Sequence, residues 1–80
     1  MTANNNQKVI DLLATFYTAE IGAIGIYMDQ HIKCSHLGFN KLAAIFMDDA
    51  KEEMKHAEEL AERIMFLGGE LKYGVKPFFS

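Results

Sequence analysis

The sequence predicts an all-α fold: a two-helix antiparallel hairpin that pairs with a second copy to form a four-helix bundle. Three observations carry this. Apolar residues recur at helical spacing in two long runs, and alternating strand-like patterns are absent. The single proline, Pro77, lies near the end of the chain, so nothing between Gln7 and Leu67 forbids helix outright. Two amphipathic helices cannot cover each other's apolar stripes, so a lone hairpin presents an open apolar groove. A two-fold copy of the same hairpin is the simplest closure.

The first helix is expected over about residues 6–35, capped by Asn5 or Asn6. Its apolar line runs through Ile10, Leu13, Tyr17, Ile21, Ile24, Tyr27 or Met28, and Ile32. Gly38 can take the positive φ that ends a helix. The second helix is expected over about 41–67, with Asn40 as its cap. Its line runs through Leu42, Ile45, Phe46 or Met47, Ala50, Ala57, Leu60, Ile64 and Leu67, and Gly68-Gly69 ends it. Each helix of roughly 28 residues spans about 42 Å. The short connection makes the pair antiparallel. The tail, 70–80, carries Tyr73, Val75, Phe78 and Phe79 and is expected to lie across the bundle or a neighbouring subunit.

Composition narrows the function. The 80 residues are 50% hydrophobic with a net charge of -3, too apolar for disorder and too short for more than one domain. The acidic balance argues against nucleic-acid binding. One cysteine, Cys34, excludes an internal disulfide framework and suits a reducing compartment. The polar start, Met1 to Asn6, has no signal-peptide pattern. The longest near-apolar stretch, Ile21 to Met28, falls short of the ~20 residues a membrane span needs. A soluble cytoplasmic protein without a membrane or nucleic-acid partner is expected.

The informative anomaly is charge inside the apolar stripe. Glu20 is the only charged residue between Asp11 and Asp29, so a solvated face does not account for it. Burial with a partner does. Tyr27 follows two turns along the same face. On the second helix, Glu53 and His56 form a Glu-x-x-His pair, and i, i+3 spacing sets carboxylate and imidazole one turn apart on one face. That pair alone arises easily in so acidic a helix. Joined to Glu20 at mid-height of an antiparallel partner, it reads as half a metal site.

The residues Lys8-Val9-Ile10, Glu20, Tyr27, Gly38, Glu53-Met54-Lys55-His56-Ala57-Glu58, Glu62-Arg63-Ile64 and Leu67-Gly68-Gly69 resemble the N-terminal half of bacterioferritin. That family lies within the ferritin-like di-iron carboxylate superfamily. The similarity runs without gaps from about Gln7 to Gly69. It implies Glu20 as a terminal iron ligand, Glu53 as a bridging carboxylate, His56 as a nitrogen ligand and Tyr27 as a hydrogen-bonding neighbour. The family's site takes one Glu from each of two helices and Glu-x-x-His from each of the other two. The second helix pair has no counterpart here, so a homodimer would have to restore the site. Oxygen donors with imidazole suit iron or manganese, and the lack of thiolates disfavours structural zinc.

Several other residues carry alternatives. Met54 sits where the family pattern has its haem-ligating methionine, about 100° round the helix from Glu53. A plain interface methionine explains it equally. His31 extends the polar line of the first helix, either as an iron-entry ligand or as an exposed helix-end residue. His36 suits the cation-favouring helix C-terminus. Asp48, Asp49 and Glu52 read as a solvated face or an iron-attracting patch. Cys34 reads as a helix-end thiol. Gly22 and Gly25 read as points of close helix contact. The leading expectation is a ferroxidase that oxidises Fe²⁺ with O₂ or peroxide. A haem module using Met54 and a non-catalytic dimeric helical protein stand beside it.

Overall fold

The computed structural model describes residues 3–71, and the expected docking of the tail falls largely outside them. Two helices follow in order, α1 over Ala3–His36 and α2 over Asn40–Phe66, packed side by side as an antiparallel hairpin. No strand occurs among the described residues. Helix α1 begins about three residues earlier than expected, so Asn5 and Asn6 are helical rather than caps. Asn40 is likewise the first residue of α2. Phe39 occupies its cap position and makes no side-chain capping bond.

Glycine closes both helices as expected. Gly38 has φ 83°, and the Phe39 amide donates back to the Cys34 carbonyl at 2.8 Å. Gly68 has φ 87°, and the Gly69 amide donates to the Ile64 carbonyl at 2.9 Å. These bonds across a left-handed residue satisfy carbonyls that a helix end leaves orphaned. Lys33 and His36 lie in the last turn of α1, where positive charge is favoured.

The buried line of α2 is Ala43, Ala50, Ala57 and Ile64, a strict seven-residue repeat. A seven-residue period is the signature of a left-handed helix pair. Three alanines in that line let α1 come close. Leu42 and Ile45, expected in this stripe, are instead exposed, as is Ile32 of α1. The reason is geometric. The hairpin buries the alanine edge of α2, and the larger residues one position round face away from α1.

Very little large side-chain volume is buried by the hairpin itself. Ile64 is the largest fully buried residue, joined by Ile10, Cys34 and the alanines. Val9, Leu12, Phe16, Ile26, Leu42 and Ile45 are all exposed. The open apolar groove expected of two helices is therefore present. Gly22 and Gly25 meet nothing across the hairpin, which corrects the expectation of close contact there. Gly69 is the glycine that does: a Cβ on it would lie 2.8 Å from Ile10 Cγ2 and 2.9 Å from Ile64 Cγ2.

By length and composition alone, the segment Asn6–His36 is long and apolar enough to cross a membrane. The expectation from the shorter run Ile21–Met28 missed this. That run stops at Glu20, whereas a wider window tolerates one carboxylate.

Candidate metal centre

The seven-residue frame explains how the polar cluster forms. Glu20 lies in the seam of α1, seven residues before Tyr27, and Glu53 lies in the seam of α2, seven residues before Leu60. Both carboxylates are thereby aimed at the line where the helices meet. His56 stands one turn beyond Glu53 on the open side of the hairpin. Its Nδ1 lies 3.0 Å from Glu20 Oε2 and 3.5 Å from Glu53 Oε1. One ligand atom from each of the three residues falls within 4.8 Å of the others. The structure thus brings together the three residues expected from the spacing.

The cluster is half-covered. Side-chain exposure is 19% for Glu53, 23% for Glu20 and 46% for His56, so the imidazole edge faces outward. No lysine or arginine ion pair neutralises the two carboxylates among the described residues. The Glu53 carboxyl is pushed above its ordinary value. A hydrogen bond shared with Glu20 is the first cause, followed by partial burial and the negative charge of Glu20. His56 opposes the rise, and Glu52 adds to it. Two carboxylates competing for one proton are the expected result of like charges held together without a cation. Phe16, Ala19, Glu59 and Leu60 surround Glu20 and His56 in an open cleft of about 400 Å³.

These donors fit iron or manganese. Two hard carboxylates and one imidazole converge, with no thiolate among them. Three ligands on an open face complete neither one metal's coordination nor two.

The comparisons with known proteins agree with the geometry. The ferritin-like domain pattern matches residues 10–77, most of the chain. The protein belongs to the ferritin-like family. It is 44% identical over 63 residues to a bacterioferritin of Desulfovibrio desulfuricans, covering 79% of this chain and 35% of that protein. It is 39% identical over 62 residues to a bacterioferritin of Streptomyces coelicolor, covering 78% and 37%. A bacterial ferritin of Neisseria meningitidis serogroup B is 33% identical over 64 residues, covering 80% and 42%. This chain therefore spans little more than a third of the length of these relatives. No solved structure matches it.

Other expected residues take different places. Tyr27 stacks on Phe46 with ring centroids 6.4 Å apart, two helical turns from Glu20. Met54 is 55% exposed on the opposite side of the hairpin, in a groove with Tyr17, Ile21 and Ile24. His31 is neither an exposed helix end nor part of the cluster. It is half-buried, with Nδ1 2.7 Å from the Ala43 carbonyl, where it ties α1 to the start of α2. Cys34 is near the helix end as expected, but buried. Glu59 shares the cleft with Glu20 and His56 and was not singled out in the sequence. Its i+3 spacing from His56 was the available signal.

Proposed function

We propose that this protein binds iron at a centre shared between two copies and oxidises Fe²⁺ to Fe³⁺, in iron storage or detoxification. The convergence of Glu20, Glu53 and His56 on one open face carries the proposal. Each copy supplies half a ligand set, and a two-fold homodimer supplies two of each residue. Four carboxylates then balance the charge of two Fe²⁺. Glu53, at the seam, would bridge. Glu20 and His56 would each hold one side. Bound as a pair, two Fe²⁺ give up one electron each to O₂ or peroxide. The protein's own contribution is to fix the donors, shed the proton that holds Glu53 to Glu20, and cover the cluster from bulk water. Its family membership supports iron storage. Native mass spectrometry after anaerobic Fe²⁺ loading tests this. Two irons per pair of chains are expected, with near-ultraviolet ferric absorption growing on exposure to O₂ or peroxide. Iron bound equally by an Ala-substituted triad would refute it.

A second function is favoured by one observation. Met54 lies exposed in an apolar groove of about 550 Å³ on the side away from the cluster. A haem held there by Met54 from each of two copies would give a Soret band that Met54→Leu removes. A protein that acquires neither iron nor haem would be left as a structural dimer.

A further inference from the structure

His56 is bracketed on α2 by two glutamates at equal spacing, Glu53 three residues before it and Glu59 three residues after. Both are one turn away on the same face. The first is already engaged. His56 Nδ1 lies 3.5 Å from Glu53 Oε1 and 3.0 Å from Glu20 Oε2, so this is the ring nitrogen that the centre can use. Nε2 sits on the far edge of the ring. Side chains on a helix lean toward its N-terminus. His56 therefore leans over Glu53, and Glu59 leans back over His56. Glu59 also lines the cleft that Glu20 and His56 share.

Glu59 is uncommitted. Arg63, four residues on, is its natural ion-pair partner along a helix. The Arg63 guanidinium lies instead over the Phe66 ring, 5.9 Å from its centroid. Among the described residues, the Glu59 side chain makes no ion pair or hydrogen bond. Glu52 is the competing carboxylate, four residues before His56. The same lean carries it away from the ring, and it does not line the cleft.

A neutral imidazole carries one proton on its two nitrogens. A cation held through Nδ1 takes the lone pair there, so the proton sits on Nε2. A ligating histidine that donates this second N–H to a carboxylate is fixed in orientation and becomes a stronger donor. We infer that Glu59 accepts the Nε2–H of His56 when a cation occupies the centre, and so holds the ring with Nδ1 turned inward. The inference rests on the iron centre proposed above. Glu59 acts through His56 and is a positioning residue.

Mn²⁺ affinity, measured by titration calorimetry on the full chain, tests this. Glu59 is exposed, so its substitutions should leave the helical content intact. Glu59→Ala should weaken Mn²⁺ binding about 10–100-fold. Glu59→Gln loses the charge but keeps an acceptor oxygen, and should recover a substantial part of that loss. Glu52→Gln removes the same charge one or two turns away and should cost far less than Glu59→Ala. NMR of isotope-labelled protein loaded with diamagnetic Zn²⁺ gives a readout that charge alone does not move. The His56 Nε2–H should be protected enough from exchange to be observed, and Glu59→Ala should lose it. Equal losses of affinity in Glu59→Gln and Glu59→Ala, or in Glu52→Gln and Glu59→Gln, would reduce Glu59 to a nearby charge and overturn the inference. An unchanged Nε2–H resonance in Glu59→Ala would also overturn it. Glu20→Ala separates this inference from the reading beneath it. Binding lost in Glu20→Ala but kept in Glu59→Ala would remove the positioning role and leave the centre. Binding kept in Glu20→Ala, or no Mn²⁺ uptake by the unmodified chain, would remove the centre and the role of Glu59 with it.

Discussion

At one end of the hairpin, Ile10 lies against Ile64 and the backbone of Gly69; at its middle, the same seam holds Glu20, Glu53 and His56. The end is dry, close-packed and finished by backbone hydrogen bonds across Gly68. The other end is held by the Gly38 turn and by His31 on the Ala43 carbonyl. Among the described residues, the middle buries Ala50 and Ala57 and sets two carboxylates against the single imidazole of His56, with no lysine or arginine beside them. The ends supply the hairpin's own stability, which lets the middle hold groups that oppose it. Metal bound at the proposed centre would offset the repulsion between its two carboxylates.

The largest effect that separates the two regions is catalytic. Glu20→Ala and His56→Ala should each abolish iron oxidation while leaving helical content nearly unchanged, because neither removes a contact at the ends. In the proposed two-fold pair, each substitution would delete two ligands. Stopped-flow oxidation and far-ultraviolet circular dichroism check both halves of this expectation. An unaltered rate in either variant would move the site elsewhere.

Metal should reverse the middle's penalty. A ligand that binds only the folded pair, present at 100 times its dissociation constant, adds about 2.7 kcal/mol. Mn²⁺, which is redox-quiet, should therefore raise the melting temperature by several degrees at fixed protein concentration. Glu20→Ala should show no such rise. Equal shifts in both proteins would mean that Mn²⁺ binds away from this cluster.

The ends respond to packing alone. Gly69→Ala places a methyl group against Ile10 and Ile64, and overpacking of this kind costs about 1–3 kcal/mol. Gly22→Ala and Gly25→Ala meet open space and should stabilise α1 by about 0.8–1 kcal/mol each through helix propensity. Thermal melts of the three variants should thus move in opposite directions. A stabilising Gly69→Ala would show that the close approach is slack.

The helix count, the hairpin, both glycine stops and the convergence of Glu20, Glu53 and His56 were legible in the sequence because each rests on local chemistry or fixed spacing. Glu20 stood out because it is the one charge in an otherwise apolar run of α1. What was less legible depended on the partner element. The buried edge of α2 was legible at Ala50, Ala57 and Ile64, but at its start Leu42 and Ile45 were expected where Ala43 is buried, because only the position of α1 decides which residue is covered. His31 stood out as an entry ligand or an exposed helix end, but its actual partner gave no signal because that partner is a backbone carbonyl, which every residue possesses. The role of Gly69 was hidden for a similar reason, since a close approach is made by two segments far apart in sequence.

The smallest effect concerns protons, and it sharpens the comparison because the ends carry no such group. The Glu53 carboxyl is raised in the folded protein, chiefly by the hydrogen bond with Glu20. A carboxyl whose folded pKa exceeds its unfolded value binds its proton more tightly when folded. Folding is then favoured at acidic pH, and this contribution is lost as pH rises from the ordinary value of 4.5 through the raised one. Without metal, the hairpin pair should lose stability across that interval. Glu53→Gln cannot ionise and should flatten the profile. Metal binding requires the ionised form, so it releases protons and strengthens over the same interval. Apo and Mn²⁺-loaded protein should consequently diverge as pH rises. Denaturant midpoints at several pH values between 4 and 8 read this divergence, and parallel profiles for Glu53→Gln and the unmodified chain would place the shared proton on another group.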